Sequence, residues 1–319
     1  MISSQSFLLS VVFSIITSFT VFYFLKTKNL LIDQTFSSKH KQLTGNNLSN
    51  RAILAGGIII FLNCLFFFDN QLVLLKILSA LIVIIGTLSD MNKLNSPKIR
   101  IFFQFLIVLF LLLFYQNFLI TDLRIDLLND VLKYQIASVL FTIFCILILM
   151  NGTNFLDGIN TLVIGYYILV LGTIIVTSSK FDLYINYNIF YLLSILIIVF
   201  LFNLFNKVYL GDSGSYLIAF LTAFFILDFV SKNNLVSPYF FCLLLWYPAF
   251  ENLFSILRRI LFRKKLDEAD QGHLHQIIFK FLKDKSFFQE KYLNSTTGIL
   301  INFFNFLIFI VSYKYYLYT

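Results

Sequence analysis

Four groups of polar side chains interrupt an otherwise apolar sequence. They are Asp90, Asn151-Gly-Thr-Asn-Phe-Leu-Asp-Gly158, Gly211-Asp-Ser-Gly-Ser215 and His273-Leu-His275. Carboxylates and imidazoles are costly to keep in apolar surroundings, and function is the ready explanation for retaining them. The oxygens of Asp157 and Asp212 suit a hard divalent cation. The amides of Asn151 and Asn154 can read a base or an acetamido group through paired donors and acceptors. His273 and His275 can donate to a diphosphate, singly or as cations. Read together, the four groups describe a site that handles phosphate.

Each group also has a plainer reading. In the Gly211–Ser215 string, glycines permit close approach of phosphate and a following helix start offers N–H groups to an anion; the alternative is an N-cap made by Asp212 or Ser213. Asn151, Asn154 and Asp157 recur every three residues, so a helical turn would set them on one face, Asp157 reaching Mg²⁺ or a ribose hydroxyl. The alternative is a polar turn between two helices. His273 and His275, two apart, would face one ligand from an extended loop, or else be exposed loop histidines. Zinc is disfavoured, because His40 is the only other histidine and no cysteine lies nearby. Glu251 lies two helical turns before Arg258, to pair with it or to cap the site from below. Arg258, Arg259, Arg263, Lys264 and Lys265 read as an anchor at a membrane surface.

The elements that must position these groups are membrane helices. The chain is 59% hydrophobic and only 13% charged, against roughly 25% charged in soluble domains. Ten apolar runs, near 7–25, 52–68, 72–88, 101–120, 134–150, 161–176, 187–205, 215–230, 239–257 and 298–318, are read as long enough to cross a bilayer. They lack the alternation of barrel strands, so the expected fold is an all-α integral membrane protein of about ten transmembrane helices, a single domain over 1–319. The net charge of +8 reports topology rather than nucleic acid. With loops assigned alternately to two sides, 18 of the 24 Lys and Arg fall on one of them, which the positive-inside rule makes cytoplasmic. Both termini are then outside, and all four polar groups are at the cytoplasmic face. The first apolar run has no Lys or Arg before it and Lys26 and Lys28 after it, the reverse of a cleavable signal peptide, so it is expected to be retained. Cys64, Cys145 and Cys242 are too scattered for a metal motif and are expected to be buried, inert thiols. Tyr313, Tyr315, Tyr316 and Tyr318 suit an interfacial anchor.

In this order, the strings resemble those of the polyprenyl-phosphate N-acetylhexosamine-1-phosphate transferases (the WecA/MraY type), and the WecA branch more closely. Gly86-Thr-Leu-Ser-Asp90 with Lys98 and Gln104 resembles the family's acidic pair and the basic and amide residues that follow it. Asn154-Phe-Leu-Asp157-Gly158, Leu210-Gly-Asp-Ser-Gly-Ser215 and His273-Leu-His275 resemble its later blocks, Asn203 an upstream asparagine and Gly56-Gly57 an early diglycine. Ser89 stands where the family usually has its first Asp, Gln276 where it has a further histidine, and Arg51–Gly56 lacks a Pro-Thr-Pro character. The resemblance implies transfer of a sugar-1-phosphate from a UDP-sugar to polyprenyl (undecaprenyl) phosphate in a bacterial plasma membrane, releasing UMP and initiating a cell-envelope glycan. It implies Mg²⁺, or Mn²⁺ in its place, on Asp212 and Asp157. Asp90 would orient the lipid phosphate or act as a weak base, His273 and His275 would bind the diphosphate, and Asn154 and Asn203 the nucleotide. A homodimer is one arrangement such a protein can take. The rival readings are a transporter or flippase and an inactive lipid-binding relative.

Overall fold

The expected apolar runs fold as helices because backbone N–H and C=O groups in an apolar medium must be satisfied within the segment. The computed structural model describes residues 4–32, 52–261, 272–286 and 288–317; His40, Arg51, Arg263, Lys264, Lys265 and Tyr318 lie outside them. The helices are α1 (Ser4–Thr27), α2 (Gly56–Phe67), α3 (Val73–Asp90), α4 (Pro97–Phe114), α5 (Asp126–Leu132), α6 (Gln135–Leu156) and α7 (Leu162–Lys180). They continue as α8 (Asn188–Leu204), α9 (Gly211–Lys232), α10 (Pro238–Leu244), α11 (Trp246–Leu261), α12 (Leu274–Asp284) and α13 (Glu290–Lys314). Pro97 and Pro238 open α4 and α10 at the first turn, where a missing N–H costs nothing. Strand content among the described residues is one parallel two-residue ribbon, β1 (Ile53–Leu54) on β2 (Val208–Tyr209). It joins the start of α2 to the start of α9.

The protein is an all-α, multi-pass membrane protein, with fewer full-length spans than the ten apolar runs suggest. Among the described residues seven helices, α1, α3, α4, α6, α7, α9 and α13, are long and apolar enough to cross. The α10–α11 pair, bent by 72°, makes an eighth if counted as one span. α2 has only 12 residues and reaches about 18 Å, short of a bilayer core of about 30 Å. α8, with 17 residues, also falls short of the full-length class. Hydropathy alone gave no length limit to either run.

α9 is the centre of the bundle. It is buried from Ser213 to Phe229, and α2, α3 and α6 pack around it. A helix buried all round needs mainly apolar residues on every face, and its charged residues Asp212 and Asp228 stand near opposite ends. The far end is closed by Asp228, which accepts from Lys232 (2.8 Å) and Asn186 (3.1 Å), while Asn188 donates to Asp69 (2.9 Å). α1 is fastened to α2 by hydrogen bonds from Ser14 to Asn63 (2.7 Å) and from Asn63 to Thr17 (3.0 Å), polar links that hold helices together where lipid offers no alternative partner. The expectation of three buried thiols needs correction: Cys64 is buried, Cys145 half-buried and Cys242 exposed, because the last two lie on helix faces turned outward. Tyr316 stacks on Phe181 at 4.1 Å, and its carbonyl accepts from the Ser237 N–H, tying the end of α13 to the start of α10.

Candidate functional site

The site forms where the end of α3, the start of α4, the end of α6 and the start of α9 meet. Asp90 is the last residue of α3, and its two oxygens accept the backbone N–H groups of Asp212 (2.9 Å) and Ser213 (3.3 Å). A helix start carries unsatisfied N–H groups and a partial positive charge. Here a carboxylate from another helix neutralises them, in place of the local Asp212 or Ser213 cap or the bound phosphate that the sequence left open. Gly211 has φ +69°, and a Cβ there would lie 2.6 Å from the Asp90 carboxylate. Glycine is the residue that tolerates both the left-handed conformation and the approach. Gly86 allows α3 equally close: a Cβ would lie 2.2 Å from the Ser213 Cα.

With the helix start fixed, the Asp212 side chain is held at three points. Its Oδ2 accepts from Arg100 Nη1 (2.6 Å) and from the Ser89 hydroxyl (2.5 Å), and its Oδ1 from Asn154 Nδ2 (2.8 Å). The same Arg100 nitrogen donates to Ser89 (2.8 Å) and Tyr216 (3.3 Å). The Arg100 and Asp212 side chains retain 19% and 26% of their exposure, so the pair stands at the wall of the site, open on one side. Asn154 also donates to Ser215 (3.1 Å). One turn earlier, Asn151 donates to the buried Gln104 (3.0 Å), which joins α6 to α4. Of the two readings of this segment, a helical turn or a polar turn between helices, the helical one describes it as far as Leu156. Asp157 stands half-buried at its C-cap.

The histidines are not on an extended loop and are not exposed. His273 is the N-cap of α12 and His275 lies in its first turn, 4% and 0% exposed, with their rings stacked 5.5 Å apart. They dock on the Asn154–Gly158 segment: His273 lies 5.5 Å from the Phe155 ring, and a Cβ on Gly158 would meet His275 Nε2 at 2.8 Å. Glu251 holds this arrangement. Its Oε2 lies 2.8 Å from His273 Nδ1, and its Oε1 accepts the Leu274 N–H (2.8 Å). The expected pairing of Glu251 with Arg258 is therefore replaced; Arg258 donates to the Gly272 carbonyl instead (2.7 Å).

Asn203 differs from its expected place on the nucleotide. It is buried, accepts the Thr161 N–H (2.6 Å) and donates to the Val208 carbonyl (2.9 Å). It fastens the turn before α7, where Thr161 has φ +67°, to the strand before α9. Three residues of the site were not assigned to it from the sequence. Lys98 is exposed while Arg100 makes the contact; the signal lay in Pro97, which starts a helix and so sets Arg100 one turn inside it. Ser89 read as a departure, and Glu251 either as a partner for Arg258 or as a cap on the site from below.

A Mg²⁺ ion is usually held by one or two carboxylates and completed by substrate phosphates and water. Among the described residues, no three His, Cys, Asp or Glu side chains converge to make a closed cage. Asp212, a hard oxygen donor partly open to the exterior, fits a cation shared with substrate in this way, and Asp157 lies one turn beyond the Asn154 that holds it. Asp90 is committed to α9.

A family model described as glycosyl transferase family 4 matches residues 72–230. That range carries Asp90, Arg100, Asn154, Asp157, Asn203 and Asp212; the histidine segment lies beyond it. The chain is 22% identical over 261 residues, covering 78% of this chain and 70% of the relative, to a Bacillus subtilis (strain 168) protein named as a probable undecaprenyl-phosphate N-acetylglucosaminyl 1-phosphate transferase. The ordered motifs, the helices that bring them together and these two matches agree: the chain belongs to glycosyl transferase family 4, the polyprenyl-phosphate sugar-1-phosphate transferases of the WecA/MraY type.

Proposed function

We propose that this transferase moves N-acetylhexosamine-1-phosphate from a UDP-sugar to undecaprenyl phosphate at the cytoplasmic face of a bacterial plasma membrane, as the first step of a cell-envelope glycan. The observation that carries the reading is Asp212, held by Asn154, Ser89 and Arg100 at the start of the central helix. A phosphate oxygen of the lipid attacks the phosphorus that bears the sugar. A new P–O–P bond forms, the bond to UMP breaks, and UMP leaves with the electron pair.

The obstacle is repulsion between two anions, so positioned charge matters more than proton transfer. A phosphate monoester has a second pKa of about 6, and at neutral pH the acceptor is already largely a dianion. A general base is therefore not required, and Ser89 in place of an aspartate is compatible with turnover. Bound on Asp212 and Asp157, Mg²⁺ would neutralise charge on the donor diphosphate. Asn154 holds the Asp212 carboxylate and borders the nucleotide. His273 and His275 face the diphosphate from α12, with Glu251 orienting His273. Asp90 sets the position of Asp212, and Asn203 holds the two loops that flank the site.

The test is release of UMP by purified protein given UDP-N-acetylglucosamine, undecaprenyl phosphate and Mg²⁺. A labelled lipid product, lost in Asp212→Asn, is the expected outcome. A folded protein that binds nucleotide but releases no UMP with any of a panel of UDP-sugars would make it an inactive relative.

A further inference from the structure

Arg100 does more than border the site. Its Nη1 lies 2.6 Å from Asp212 Oδ2, and the Ser89 hydroxyl reaches the same oxygen at 2.5 Å. Ser89 can take part in both bonds because a hydroxyl donates and accepts at once: it gives its proton to Asp212 and receives one from Arg100 (2.8 Å). An aspartate in its place would have no proton to give and would add a negative charge. The guanidinium carries its charge at every pH that the protein experiences. The site thus sets two carboxylates, Asp212 and the Asp90 that caps α9, against one fixed cation.

An ion bound to Asp212 would enter at about 2.0–2.1 Å from an oxygen. Oδ2 already has two donors. Approach through Oδ1, which accepts from Asn154, leaves the guanidinium a few ångströms away, where like charges repel strongly. We propose that Arg100 is a resident cation that competes with a divalent metal ion for Asp212, with Ser89 holding it in place. This rests on the metal reading of Asp212 given above. The pair sets the metal affinity of the site before substrate binds, and metal arrival frees Arg100 for the phosphates of the donor. A purely structural Arg100 would support the fold without opposing a metal.

The experiment is a titration of detergent-purified protein with Mn²⁺ alone, followed by electron paramagnetic resonance of the free ion, with thermal unfolding as the check on folding. Arg100→Gln should bind Mn²⁺ about tenfold more tightly than the parent, in the usual range of coupling between two ligands. Arg100→Lys should stay near the parent value. The gain should vanish in Arg100→Gln combined with Asp212→Asn. Ser89→Ala removes only the hydroxyl that steadies Arg100 and should tighten binding about twofold, which keeps the test sound if Arg100→Gln folds poorly. Unchanged or weaker binding in Arg100→Gln and Ser89→Ala, with binding still lost in Asp212→Asn, would overturn the competition and leave the metal assignment standing. No binding by any of these proteins would overturn both.

Discussion

Asp90 and Glu251 do the same physical work at two places: each carboxylate satisfies the backbone N–H groups of a helix that belongs to another part of the chain. Asp90→Ala should lower stability by about 1–2 kcal/mol, the scale of a lost cap and its charge, and Asp90→Asn, which keeps an acceptor, by less. Thermal unfolding in detergent measures both. Glu251→Ala leaves a buried imidazole and the Leu274 N–H without their acceptor, at about 1–3 kcal/mol for each group; UMP release should fall with it, while Glu251→Gln should recover much of the stability. If Glu251→Ala leaves both unfolding and turnover unchanged, the carboxylate does not position His273. At this scale the sequence singled out the carboxylates and Asn154, whose types are unusual between apolar runs, and the structure brings Asp90, Asn154 and Asp212 together. It took Lys98 for the basic residue, whereas Arg100, two positions on and therefore most of a helix face away, makes the contact. It also assigned Asn203 to a ligand, because an amide that clamps two backbones has the same composition as one that reads a base.

Helix packing explains the glycines that flank the site. α3 crosses the first turn of α9 so closely that Gly86→Val would drive a side chain into the Ser213 backbone. Over-packing of this kind costs about 1–3 kcal/mol or more, and because the displaced turn carries Asp212, activity should be lost along with stability. Gly172 on α7 is the control: a Cβ there meets nothing within 4 Å, and Gly172→Ala should be neutral or stabilising by up to about 1 kcal/mol. A midpoint and a UMP assay for the two variants would separate packing from mere glycine loss. The sequence pattern located nearly every helix, because runs of this hydropathy have few other stable forms. It did not give helix ends: α6 continues through the polar Asn151–Leu156 segment, and the histidine loop becomes α12. Polar residues at a bundle end can extend a helix when neighbouring helices supply their partners.

The arrangement of the whole molecule was the least legible part. Nothing in hydropathy marks α9 as central: it is less apolar than the span that includes α3. Its burial follows from neighbours on every side, which is a property of lateral order and not of one segment. The clasp at its far end gives a further test. Asn188→Ala removes the bond to Asp69 and the acceptor for the Asp69 N–H, and should cost about 1–3 kcal/mol without altering UMP release at low temperature, since Asp228 and Asp212 are separated by about 24 Å along the helix. The central position of α9 also bears on how the protein is made. α2, α3, α6 and α7 leave the ribosome before residue 211, yet the space between them is filled only when α9 arrives. The helix that fills this space is the one that brings Asp212. A nascent or truncated chain that stops short of α9 therefore lacks both a centre and its principal carboxylate, so incomplete products are open to membrane proteases before they can consume a sugar nucleotide.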